Sequence, residues 1–321
     1  MFSFPAQLES DQQTRNWYQD LLDHPECQGD PIKVQQAYES YRQASLARSL
    51  ASMTLADGKA KIIPSPALVQ YLSHTALTSG PKEIEKHYRD ESVNCMVIWA
   101  RPSRKILELL LGLQNRLKDV VGTESSRLHL SVVEISHRHP MAHLWSVFKQ
   151  IGRPLVQEML DLPASHAASH SRVARLGRPM LLFDAAGVAI AFVPVGTDPY
   201  TYHHLRRDLH SMAISSGVKT DTCYTACMGH ITLGRFISTK HFDSDNVETA
   251  QERLRVWMAT IQDINEELRQ SYQAADWEWT VGEEKGLELQ MGMLKFGRDT
   301  EEAEIAGRSF GGEATASTKA N

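Results

Sequence analysis

The chain has 321 residues, 42% of them hydrophobic and 23% charged, with 19 Gly and 13 Pro. That balance excludes a collagen-like, coiled-coil or largely disordered protein. With 34 Lys and Arg against 39 Asp and Glu, the net charge is −5, so the basic excess of a protein that tracks long nucleic acid is missing, while a small anionic ligand stays compatible because a few local cations can hold it.

No stretch approaches the roughly 18 uninterrupted apolar residues of a membrane span. Met1-Phe2-Ser3-Phe4-Pro5 lacks the charged and apolar regions of a secretory signal. Cys27, Cys95, Cys223 and Cys227 are too few for a disulfide scaffold, and the lone C-x3-C of Cys223 and Cys227 reads as packing side chains rather than a metal motif. A cytoplasmic chain is the expectation. The sequence leaves its oligomeric state open.

Residues 1–90 read as a polar helical extension. Trp17, Tyr18, Leu21 and Leu22 share one side of a short helix, and Val34, Ala37, Tyr38 and Tyr41 continue the helical spacing in a second. Pro64-Ser65-Pro66 precedes an apolar helix around Ala67–Leu77, and Ser79-Gly80-Pro81 marks a boundary. The texture then changes. Val93–Ala100 reads as a buried strand, followed by a helix with Ile106, Leu109, Leu110, Leu113, Leu117 and Val120 on its stripe. Leu128–Ile135 is the next strand, Ala142–Leu160 a helix interrupted near Pro154, and Pro179–Val195 a hairpin about Ala185-Ala186-Gly187. The pattern returns with a helix carrying Tyr202, Leu205, Leu209 and Met212 and stopping at Gly217, then a strand over His230–Ile237. Asp243-Ser244-Asp245 caps a long helix, and Trp277–Val281 with Leu287–Met293 reads as a last hairpin. The tail, 299–321, is small and polar and reads as disordered. Strand–helix–strand units occurring twice, with hairpins, favour α+β with antiparallel sheet.

Two of the strands share one grammar. His129-Leu130-Ser131-Val132 and His230-Ile231-Thr232-Leu233 each set a histidine two residues before a hydroxyl, and side chains at i and i+2 of a strand share a face. Imidazoles titrate near neutrality, so one can take a proton from water while the other protonates a departing alkoxide, with the hydroxyls donating to phosphate oxygens. No metal or other cofactor is called for. Two such motifs about 100 residues apart, each in a strand–helix unit, resemble the signature of the 2H phosphoesterase superfamily, which takes in the RNA ligase/cyclic nucleotide phosphodiesterase-like (LigT-like) proteins. The resemblance spans about Val93 to Phe296, roughly two thirds of the chain, so the domain reading is 1–90 extension, 91–298 2H-like domain, 299–321 tail. It implies a bilobal α+β fold, two antiparallel sheets flanked by helices, whose central cleft holds His129 and His230 as catalytic residues. Ser131, which stands where many members carry threonine, and Thr232 then bind substrate. Arg235, following Gly234, is similar to the family's frequent arginine after the second motif.

Arg235 either clamps an anionic oxygen or forms a surface ion pair. Strict alternation from Thr232 turns it to the wrong face, and a bulge near Gly234 would restore it. Arg127 shares the face of His129 and is a weaker candidate. Tyr202 reads as core. Tyr224, Phe236 and Trp279 could stack on a ring but are usual packing residues. His137, His139 and His143, like His203, His204 and His210, offer imidazoles for zinc; the reading adopted is a polar loop and a solvated helix face, with no metal ligand assigned. The expected function is metal-independent hydrolysis of a cyclic phosphodiester, such as a 2',3'-cyclic nucleotide, or of a small phosphorylated metabolite. The alternatives are a non-phosphate tailoring step in the same cleft, or a nucleotide-binding module without turnover.

Overall fold

In the computed structural model, the described residues are 15–54, 60–64, 68–69, 73, 86, 88–120, 128–170, 172–220, 227–272, 274–294, 298 and 303–311. The helix read around Ala67–Leu77 lies mostly outside them, as does most of the tail.

Local chemistry explains most helix starts. Asn16 caps α1 (Trp17–Asp23), and Asp30, followed by Pro31, caps α2 (Pro31–Ser52) by accepting from the Ile32 and Lys33 amides. Ser103 caps α3 (Arg104–Leu117), whose buried stripe is Ile106, Leu110, Leu113 and Leu117. The helical stretch after the first motif breaks at Gly152, in the left-handed region at φ 83°, into α4 (Met141–Ile151) and α5 (Arg153–His170). Thr201 opens α6 (Tyr202–Ser215) through a capping box with His204. Asn246, one residue beyond the expected cap, starts α7 (Val247–Gln270).

The strands are β1 (Asn94–Ala100), β2 (Leu130–His139), β3 (Arg175–Phe183), β4 (Gly187–Pro194), β5 (Gly229–Arg235), β6 (Trp279–Thr280), β7 (Glu288–Gly292) and β8 (Ile305–Ala306). The α+β expectation with antiparallel pairing holds. The expectation of two sheets is corrected: the eight strands form one sheet, in the order β6-β3-β4-β5-β2-β1-β7-β8. The hairpin read over Trp277–Met293 is also corrected. β6 pairs with β3 and β7 with β1, on opposite sides of the sheet. From Thr280 to Glu288 the chain reaches at most about 28 Å, whereas six strand spacings across a flat sheet come to about 29 Å, so the sheet is curled.

One hydrophobic cluster runs from Leu21, Val34 and Tyr38 of the N-terminal helices through Ile98, Leu130, Ile190 and Ile231 of the sheet to Ile261 and Ile264 of α7. On the opposite face, Leu46 of α2 packs against Met180, Leu182 and Ala191 of β3 and β4. Among the described residues no helix is long and apolar enough to cross a membrane.

Candidate active site

The two motif strands are neighbours at the centre of the sheet, where Leu130 pairs with Ile231. Continuing that antiparallel register by one residue sets Ser131 opposite His230 and His129, just ahead of β2, opposite Thr232. Directly opposed residues project to the same face, so both histidines and both hydroxyls share one side of the sheet. Burial agrees with this: Leu130, Ile231 and Leu233 are buried behind them, whereas His129, Ser131, His230 and Thr232 are half-buried. The two histidines are diagonal neighbours, about 7–8 Å apart by sheet geometry. Among the described residues neither the Ser131 nor the Thr232 hydroxyl has a hydrogen-bond partner.

The flanks differ. Beyond β5, His230 is opposed by Ala191 and Thr232 by Ala189, with Leu46 of α2 packed over the Ala191 end. Beyond β2, Ser131 is opposed by Trp99, whose ring stacks on His129 with centroids 3.5 Å apart and planes at 14°. Arg101 lies 5.4 Å from the Trp99 ring and donates to the buried Glu288 carboxylate at 3.0 and 2.8 Å.

Arg235 reaches the motif face. Thr232 pairs with Ala189, Gly234 with Val188 and Arg235 with Gly187, so Leu233 is an extra residue and the ladder bulges there. The bulge cancels the parity mismatch and puts Arg235 on the side of Thr232. Arg235 is half-buried, and among the described residues it has no ion-pair partner.

Burial, reinforced by Arg206 and then Arg235, lowers the His230 pKa to about 4, so at pH 7 this imidazole is neutral and can accept a proton. Arg206, fully buried on α6, sits where β2 and β5 part. Its Nε donates to the Val132 carbonyl at 2.9 Å, and its terminal nitrogens donate to the Tyr38 and Tyr18 hydroxyls at 3.1 and 2.9 Å.

Other candidates fall elsewhere. Tyr202 is buried core. Phe236 packs on Phe242 and Trp257, and Trp279 on Phe192, so neither faces a ligand. Arg127, Tyr224 and Cys223 lie outside the described residues, and Cys227 is buried. The solvated-face reading of α6 is corrected: His203 and His210 are 0% and 1% exposed. The polar loop read at His137–His143 is corrected as well. His137 and His139 belong to β2, His143 to α4, and the His139 and His143 rings stack at 4.0 Å. His137 instead meets Cys95 of β1 and Glu134, and hydrogen bonds with Cys95 and then Glu134 raise its pKa to about 10.

Trp99, Arg206, Cys95 and Glu134 are site residues that the motifs do not single out. The signal for Trp99 was its i, i+2 relation to Val97 and Cys95; the others depend on partners distant in sequence. No family model, curated protein or solved structure matches the chain.

Proposed function

We propose that the chain is a two-histidine phosphoesterase of the 2H type, hydrolysing a cyclic phosphodiester or a small phosphorylated metabolite without calling on a metal. The observation carrying this reading is the Leu130–Ile231 pairing, which gathers both H-x-[ST] motifs on one half-buried face. The connectivity supports the bilobal relation that the resemblance implies. β1–α3–β2 and β4–α6–β5 are equivalent antiparallel units about the β2/β5 boundary, and β3 and β7 each cross to pair with the other unit.

In this reading the neutral His230 takes a proton from water as the water oxygen bonds to phosphorus. The bond from phosphorus to the departing alkoxide breaks, and His129, held flat by Trp99, supplies that oxygen with a proton. Exchange with solvent restores both rings. The Ser131 and Thr232 hydroxyls donate to non-bridging oxygens, and the Arg235 guanidinium neutralises the phosphate charge. The anion also favours the imidazolium that forms at His230.

The test is a turnover panel over 2',3'- and 3',5'-cyclic nucleotides. Each of His129→Ala and His230→Ala should lose about 10²–10⁴-fold in kcat with unchanged circular dichroism, and Arg235→Ala should raise KM. Turnover that survives in both histidine variants would reject the mechanism.

A further inference from the structure

The strongest cluster of ligating side chains outside the histidine pair lies farther along the same sheet and joins β1 to β2. The Cys95 Sγ lies 3.6 Å from His137 Nδ1, which lies 2.8 Å from Glu134 Oε1, and the three ligand atoms all fall within 4.8 Å of one another. We infer that Cys95, Glu134 and His137 form a binding site for a zinc-class divalent ion, with the fourth coordination position left to solvent or a ligand.

Three observations carry the assignment. First, the cysteine sulfur and the carboxylate oxygen converge on the same ring nitrogen. In a nucleophilic relay the cysteine and the carboxylate would use opposite nitrogens of the imidazole; convergence on one atom is the arrangement of ligands about a shared cation. Second, the spacing fits. Bonds of about 2.3 Å to sulfur and 2.0–2.1 Å to nitrogen and oxygen in a tetrahedron require an S–N edge of about 3.6 Å and an N–O edge of about 3.3 Å. The first already exists, and a small swing of the Glu134 side chain supplies the second. Third, the backbone is built for it. Glu134 and His137 are three apart and would face opposite sides of a regular strand. The ladder instead pairs Val97 with Glu134, Met96 with Ser136 and Asn94 with His139, with irregularities at both steps, and Arg138 sits at φ 60°. The residue added between Glu134 and Ser136 cancels the parity mismatch, so Glu134, opposite Val97, and His137, beside Cys95, share a face, and the second irregularity at Arg138 lies just beyond them.

All three residues are half-buried, so an ion can enter while the supporting sheet stays fixed. The mixed sulfur, nitrogen and oxygen donors favour zinc or a neighbouring transition ion over calcium or magnesium, which take oxygen ligands. Three protein ligands leave the open position found in reactive rather than purely structural zinc sites. Ligation takes cysteine as thiolate and imidazole as the neutral ring, so metal affinity falls as pH drops. The site is separate from the histidine pair, because Cys95 lies four residues, about 13 Å, along β1 from Trp99. It therefore stands or falls independently of the phosphoesterase reading.

The test uses the full chain without an affinity tag, stripped with chelator and titrated with Co²⁺ and Zn²⁺. The expected result is one ion per chain, thiolate-to-cobalt charge-transfer absorption, and a rise in Tm with Zn²⁺ that follows mass action. Cys95→Ser should abolish the charge-transfer band, and Glu134→Gln should weaken binding severalfold. Absence of the band in the wild type would overturn the site, as would a band that persists unchanged in Cys95→Ser.

Discussion

Two fully buried imidazoles on α6 set an acid limit on stability. The His203 Nδ1 faces the Tyr38 hydroxyl at 2.9 Å, and its Nε2 donates to the Tyr18 carbonyl at 2.7 Å. Because the Tyr38 oxygen already accepts from Arg206, its proton points to Nδ1, which fixes the neutral tautomer. His210 bonds Thr220 through Nε2 at 2.9 Å, while among the described residues its buried Nδ1 has no hydrogen-bond partner. Burial, followed by the Arg206 charge, pushes their pKa values down to about 3 and about 4. The unfolded chain therefore takes these protons first, near pH 6.5, and stability falls as pH drops from there towards 4, by on the order of 1 kcal/mol per pH unit for each histidine. Denaturant unfolding at pH 7 and pH 5 should show the loss, and His210→Gln should reduce the pH dependence. An identical slope in the variant would place the acid sensitivity elsewhere. No local pattern signals this, since a histidine-rich helix reads the same whether solvent or a core covers it.

Strand irregularities, rather than regular strands, aim the chemistry at both proposed sites. The bulge at Leu233 brings Arg235 to the motif face, and it requires a glycine opposite: a Cβ on Gly187 would stand 2.4 Å from the Gly234 carbonyl oxygen and 2.9 Å from the Arg235 Cα. These are backbone atoms that no rotamer change can clear. Gly187→Ala should therefore cost about 1–3 kcal/mol and raise KM by displacing Arg235. Gly112→Ala is the control, because nothing lies within 4 Å of the added Cβ on the exposed side of α3; it should stabilise by about 0.5–1 kcal/mol. Denaturant midpoints for the two variants decide it, and a neutral Gly187→Ala would mean the bulge tolerates a side chain. Periodicity made the helices and strands readable, from the α3 stripe to the His-x-Ser and His-x-Thr alternation. It could not locate the extra residues, because alternation shows which side chains share a face only until the register slips.

Long-range pairing was the least readable level. Nothing local in Trp277–Met293 tells that its two arms part to opposite sides of a curled sheet, or that the two central strands are registered at one residue pair. With so little ladder between β2 and β5, the wedge behind them matters, and there the N-terminal helices enter the core. Tyr18 of α1, Tyr38 of α2, Arg206 of α6 and the Val132 carbonyl of β2 meet around one guanidinium, with the Tyr18 ring 4.4 Å from it. A polar extension docked from outside would not place tyrosines at 2% and 1% exposure against a fully buried arginine. The two hydroxyls satisfy one buried cation, so their removal should not be additive. Each of Tyr18→Phe and Tyr38→Phe should cost about 1–3 kcal/mol, and the double-mutant cycle should show a coupling of about 0.5–3 kcal/mol. Wild type and variants should each unfold in a single transition by both far- and near-ultraviolet circular dichroism. Additive losses, or an early separate transition of the N-terminal helices, would show instead that α1 and α2 are an appendage and that the two halves of the sheet hold together without them.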